Sequence, residues 1–339
     1  MAYNFIKKEI SSLKYIFPKP LKEGDEIRII APSDSLKRVG GYKANLGSKH
    51  KLEKMGFKVT FGDHINECDV ANSSPIKSRV SDLHAAFKDK KVKAILSVIG
   101  GFTSNELLPY IDYDLIKHNP KIICGFSDFT ALANAITVKT GLITFYGPAY
   151  ASLKMSGKVG TYQDSYFKKM LTTPQNLTLH ASKYWQSGPW YEENANLSLH
   201  DNSWKIYNHG IVEGRTVGGN FDTFGLLMGT NYQPELSNNI ILFEFSEGQD
   251  WSEMSRHLAA ILQASTNPKA LLIGRFPVES NMSEEKLFYV LNKFPILKQI
   301  PVMYDVNFGH AQPIFTIPIG GIVTIDTHKE EIIVHKILK

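Results

Sequence analysis

A chain of 339 residues, 43% hydrophobic and 21% charged, has room for two ordinary globular domains with buried cores. Its formal net charge of +5 is scattered: the densest basic run is KDKKVK at 88–93, and no basic stripe alternates with aromatics, which excludes a nucleic-acid polymer as the expected partner. Two cysteines, Cys68 and Cys124, are too few for a disulfide framework and sit in no zinc-ligand spacing, so no metal or other cofactor is expected.

In chain order, residues 1–20 read as an N-terminal arm ended by Pro18 and Pro20. They hold neither an apolar core nor a small-residue cleavage site. No apolar stretch anywhere reaches the roughly 18 residues of a bilayer span, so a cytoplasmic protein without membrane contact is expected. EIRIIAPSD (26–34) reads as a short buried strand and a turn. A helix-like stretch near 41–55 stops at Gly56, and FKVTFG (57–62) is a second strand. Residues 78–88 have helical spacing, with Val80, Leu83 and Phe87 on one face and Asp82 and Lys88 turned away. VKAILSVIGG (92–101) is a third strand ending on a glycine pair. One or two short helices at 107–120 close at Pro120, KIIC (121–124) is a strand, and a helix is predicted over 129–140. Short apolar strands alternating with helices, without period-2 polarity, predict a mostly parallel sheet over 21–155, covered on both faces.

Residues 156–210 are polar and aromatic, with Trp185, Trp190 and Trp204 and little periodicity; they read as a linker and an aromatic surface excursion. From 211 to 339 the pieces are strand-like (IVEGRTVGG, NNIILFEFSE, KALLIGRF, GGIVTIDTHKEEIIVHKIL), with helices near 254–264 and 284–294. That is a strand-rich α+β domain.

Several constellations could carry chemistry. In KIICGFSDFTAL (121–132) Ser127 stands on a turn between a buried strand and a helix. Such a turn at a sheet edge exposes a nucleophile, and the N–H of Asp128 would sit at a helix N-terminus, where negative charge is favoured. Equally, Ser127 or Asp128 could simply cap that helix. Gly100 and Gly101 could let a backbone N–H approach a ligand, or form a plain turn. Ser104 and Asn105 after them could bond substrate or cap the next helix. Of eleven histidines, His310 lies in a Gly/Pro-punctuated loop, NFGHAQPIFTIPIGG (307–321), where a base or a histidine without a role could sit. A histidine base needs an orienting carboxylate, and IILFEFSEGQD (240–250) offers Glu244 and Glu247. Glu244 ends an apolar run, so it either finds a partner or points out of an edge strand. YWQSGPWY (184–191) could stack a flat ligand on Trp185 or Trp190, or pack under a loop. A dinucleotide-binding reading fails because APSDS stands where G-x-G-x-x-G is needed.

Seven blocks in order, KEGDEIRIIAPS, SRVSDLHAAFKDKKVKAILSVIGG, NPKIICGFSDFTAL, VGGNFDTFGLLMGTNYQPE, NNIILFE, LLIGRF and NFGHAQPIFTIPIGG, resemble the LD-carboxypeptidase family of serine peptidases over about 22–337. The resemblance implies a doubly wound N-terminal α/β domain, a C-terminal strand-rich domain, a site between them, and a homodimer. It implies Ser127 as nucleophile, Glu244 and His310 as its partners, and an oxyanion hole of backbone N–H groups from Asp128 and Gly101, chosen over Gly100. It raises the nucleophile reading of Ser127 above the cap. The wording GGFTSNELLPYIDYDLIKHNPKIICGFSD and the tryptophan-bearing 184–191 look like the microcin C immunity branch, which implies an aminoacyl- or peptidyl-nucleotide substrate and Gly100, Ser104, Asn105, Trp185 and Trp190 as substrate contacts. The other branch implies removal of a terminal D-alanine from a wall tetrapeptide. The sequence departs from the family at Phe245, where aspartate is usual, at Ala311, where threonine is usual, and across WQSGPWYEENAN.

Overall fold

The computed structural model describes residues 14–188 and 197–339. Strand β1 (Glu26–Ile30) lies between β2 (Lys58–Phe61) and β3 (Val92–Ser97), parallel to both. Beyond β3 come β4 (Ile122–Gly125) and β5 (Thr144–Tyr146), again parallel. The order β2-β1-β3-β4-β5 is that of an open doubly wound sheet, whose ligands bind outside the carboxyl ends of the strands. Every residue of β4 and β5 is buried, which is why those segments read as apolar runs rather than alternating ones. The helix Phe129–Thr140 runs back from the end of β4, and ten of its twelve residues are buried.

A sixth strand completes this sheet from the other end of the chain. Ile317–Ile319 pairs antiparallel with β5, with Ile317 opposite Tyr146 and Ile319 opposite Thr144.

The second sheet has eight strands, in the spatial order Leu177–Leu179, Glu331–Val334, Ile322–Asp326, Ile211–Asn220, Asn239–Glu244, Ala270–Gly274, Val302–Val306, Lys205–Asn208. It is strand-rich, as expected. Its centre adds something the sequence reading did not contain: the run from Ile211–Asn220 to Val302–Val306 is parallel, with helices Trp251–Ala264 and Glu284–Leu291 between strands. This half therefore repeats the strand–helix alternation of the first, and its carboxyl edge is also available to a ligand.

Two local expectations change. Residues 156–210 are more than a linker: Gly157–Thr172 is a helix of sixteen residues whose buried stripe is Val159, Gln163, Phe167, Met170 and Leu171. The polar Gln163 breaks the apolar pattern, and its amide is spent on the Ser152 carbonyl (3.1 Å). Asp82, expected to face away from the core, is buried and accepts hydrogen bonds from the backbone and the ring of His64. The described part of the arm straps both sheets. Ile16 exchanges backbone bonds with Gly141 and Ile143, while the Tyr15 ring lies 3.6 Å from the Arg215 guanidinium.

Candidate active site

The carboxyl edges of the two sheets meet at Ser127. This residue has φ +61°, the left-handed region that costs a non-glycine residue about 1–3 kcal/mol and that recurs where a nucleophile is thrust out of a strand–helix turn. Its hydroxyl lies 3.0 Å from Nε2 of His310. Nδ1 of the same ring lies 2.8 Å from Oε2 of Glu244, whose residue is fully buried at the end of an interior strand. The reading of Glu244 as an outward-facing edge residue is thus excluded. Burial pulls the His310 imidazole down, but the adjacent Glu244 carboxylate outweighs it, with a further push from Glu247; the pKa rises to about 9. The ring also rests against Phe126, with centroids 5.4 Å apart.

Tight packing fixes each piece. Gly309 precedes His310 at φ +103°, and a Cβ there would stand 2.6 Å from Oε2 of Glu244. Gly100 faces Ser127: a Cβ on it would lie 2.8 Å from both Cβ and Oγ of the serine and 3.4 Å from the Asp128 nitrogen. Gly101, at φ +143°, turns instead toward Ser33 and the Asp34 carboxylate, a group that burial pushes up to about 6.

The capping alternative for Ser127 and Asp128 does not hold. The Asp128 side chain makes no cap bond and accepts the Ser104 N–H (2.8 Å), while the Ser104 hydroxyl donates to the Asp128 carbonyl (2.6 Å). Ser104 is fully buried by these contacts and neither caps the helix after it nor presents its hydroxyl to the crevice. Its place is under Asp128, steadying the turn. Asn105 is half-buried in the following 3-10 turn.

Trp185 lies in a short strand whose neighbour Gln186 pairs through its backbone with Gln312, two residues past His310. The indole has the Arg275 guanidinium 4.7 Å from its centroid and the His200 ring at 5.0 Å. It lines a cavity of about 280 Å³ with Arg275, Tyr304 and Asp305. Trp190 lies outside the described residues.

Two residues of this edge were not singled out from the sequence. Tyr146 is fully buried at the end of β5. Its hydroxyl donates to Oε1 of Glu244 at 2.6 Å and accepts the Ser127 N–H at 3.0 Å. Asn220 ends the strand beside Glu244; its Oδ1 accepts the Thr223 N–H, while Nδ2 is buried without a partner among the described residues. The available signal was a polar residue closing an apolar run, in ITFY (143–146) and VGGN (217–220), the same pattern that drew attention to Glu244. Among the described residues, no helix is long and apolar enough to cross a membrane.

Comparison with known proteins shows which family the chain is similar to. Residues 27–147 match the model of the LD-carboxypeptidase N-terminal domain, and residues 213–325 that of the LD-carboxypeptidase C-terminal domain. YocD of Bacillus subtilis, a carboxypeptidase by name, is 41% identical over 92% of this chain and 96% of its own. The microcin C7 self-immunity protein MccF of Escherichia coli is 33% identical over 83% of this chain and 85% of its own. Among solved structures, an MccF-like protein from Bacillus anthracis superposes with TM-score 0.91 at 39% identity, covering 95% of this chain and 99% of its own. MccF in complex with glutamyl sulfamoyl guanosine superposes with TM-score 0.86 at 30% identity, covering 95% of this chain and 99% of its own.

Proposed function

The chain belongs to the LD-carboxypeptidase family and is a hydrolase, and we propose that it cuts an amide bond with Ser127 as nucleophile, His310 as base and Glu244 as the carboxylate that orients the base. The observation that carries this reading is the unbroken relay from Oγ through Nε2 and Nδ1 to Oε2, at 3.0 and 2.8 Å.

His310 takes the Ser127 proton as Oγ attacks the substrate carbonyl. Glu244 fixes the tautomer and stabilises the imidazolium. The negative charge on the carbonyl oxygen falls to backbone N–H donors of Asp128 and Gly101. His310 then gives its proton to the leaving nitrogen, which departs and leaves an acyl-serine. Water, deprotonated by His310, attacks the acyl group; the proton returns to Oγ and the free acid leaves.

The substrate we propose is an aminoacyl or peptidyl group joined to a nucleotide, as in microcin C-like compounds, with the chain acting in immunity or detoxification. Support comes from the similarity to MccF, which binds glutamyl sulfamoyl guanosine. The half-buried Trp185 beside the His310 loop offers an aromatic surface for the nucleotide. A second reading, release of terminal D-alanine from a wall tetrapeptide, is favoured by the family's name and by YocD.

The test offers the purified protein an aminoacyl sulfamoyl-adenosine and L-Ala-D-Glu-meso-diaminopimelate-D-Ala, read by mass spectrometry. The Ser127→Ala variant serves as control and should lose at least about three orders of magnitude in rate while keeping its fold. Release of the amino acid from the first substrate alone is expected. Release of D-alanine from the second alone replaces the first reading with the second, and full activity of Ser127→Ala removes both.

A further inference from the structure

Glu244 has two carboxylate oxygens, and only one serves His310. The other, Oε1, accepts from Tyr146, and the same phenol oxygen accepts the N–H of Ser127. A single buried hydroxyl therefore joins the two ends of the relay from behind. Backbone register places it there: Tyr146 pairs with Gly125 of β4 on one side and with Ile317, seven residues past His310, on the other. Thr130 reinforces the turn, donating from Oγ1 to the Ser127 carbonyl and accepting the Asn220 N–H.

We propose that Tyr146 is a positioning residue for the nucleophile and its acid at once, holding Ser127 in its left-handed turn and aiming Glu244 at His310.

The proposal rests on the reading of Ser127, His310 and Glu244 as the catalytic relay. Its physical content is twofold. The Ser127 N–H has the Tyr146 hydroxyl as its acceptor, and without it the donor would lose that partner in a conformation that already carries strain. The phenol also withdraws negative charge from Glu244. Without that donor the Glu244–His310 pair holds an added proton more tightly, whichever of the two carries it, because the anionic state of the pair has lost its stabilising partner. Both effects lower the rate at neutral pH. Only the second moves the pH at which activity appears.

Tyr146→Phe keeps the ring and removes the hydroxyl. Its kcat/KM is expected to fall about ten- to a hundredfold, and the acid limb of its pH profile to move up by about one pH unit. Installing 3-fluorotyrosine at position 146 gives a stronger donor and keeps both bonds. It should move the limb the other way, and it preserves the test if the phenylalanine variant does not fold. A rate loss with an unmoved limb would deny Tyr146 its hold on Glu244 and overturn the proposed double role, as would wild-type rate and limb in both variants. The Ser127→Ala control separates the two levels. If that variant is inactive while the Tyr146 variants behave as wild type, the inference about Tyr146 fails and the relay stands. If Ser127→Ala is active, the relay itself fails.

Discussion

Placing one methyl group on Gly100 tests the site without replacing any group that handles a proton. Gly100 is not among the residues with positive φ, so alanine meets no conformational barrier there. The obstacle is space. The added Cβ would stand 2.8 Å from Cβ and from Oγ of Ser127, whereas ordinary contact begins near 3.4 Å. Ser127 cannot swing its hydroxyl clear, because its own Cβ is equally close, so the whole turn must retreat by about 0.6 Å or the Gly100 strand end must back away. Retreat of the turn displaces Oγ from its 3.0 Å approach to His310. Displacements near 1 Å at a reacting centre cost about a hundredfold, and overpacking of this kind costs about 1–3 kcal/mol of stability. Gly100→Ala is therefore expected to lose about two orders of magnitude in kcat/KM while still melting cooperatively a few degrees below wild type. Steady-state kinetics on the cleaved substrate and a thermal melt measure the two together. A variant within about threefold of wild-type activity would show that Gly100 does not set the serine's position, and the steric reasoning would be wrong.

Two further outcomes follow from the relay. In the proposed relay His310 acts as a base only when neutral, and its pKa is raised from 6.5 to about 9, so kcat/KM should rise with pH and reach its plateau only well above neutrality. A limb at or below 6.5, read from rates between about pH 5 and 10, would contradict the cause assigned to Glu244. Glu244→Gln keeps the shape but must turn an amide N–H toward either Tyr146 or His310, so it should lose about three to four orders of magnitude in rate with little change in fold by circular dichroism; retention of a tenth of the activity would deny Glu244 an orienting role.

How much of this was legible in the sequence divides along physical lines. Strands β1, β3 and β4 and the helix at 129–140 are apolar runs and periodic faces bounded by glycine or proline, and such signals are local. The Ser127 turn could be located for the same reason, though its choice over a helix cap needed the resemblance. Glu244 stood out because a carboxylate ending an apolar run needs a partner. Tyr146 was silent because a buried tyrosine looks like core until its hydroxyl's neighbours are known, and those come from residues 127 and 244. The helix at 157–172 was hidden by Gln163, a polar residue whose burial depends on a carbonyl eleven residues away. Parallel pairing in the second half was unreadable for a simpler reason: buried antiparallel and parallel strands share one vocabulary.

The strand Ile317–Ile319 also bears on how the protein is made. Synthesis runs from the N-terminus, so β5 emerges long before its antiparallel neighbour. Until about residue 319 has left the ribosome, the first sheet carries an open, wholly buried-type edge, the kind of surface that recruits other chains. The half-made polypeptide thus leaves that edge unpaired while it waits. In the proposed relay the serine is delivered early and its histidine late: the segment that seals the edge follows directly on the loop that brings His310.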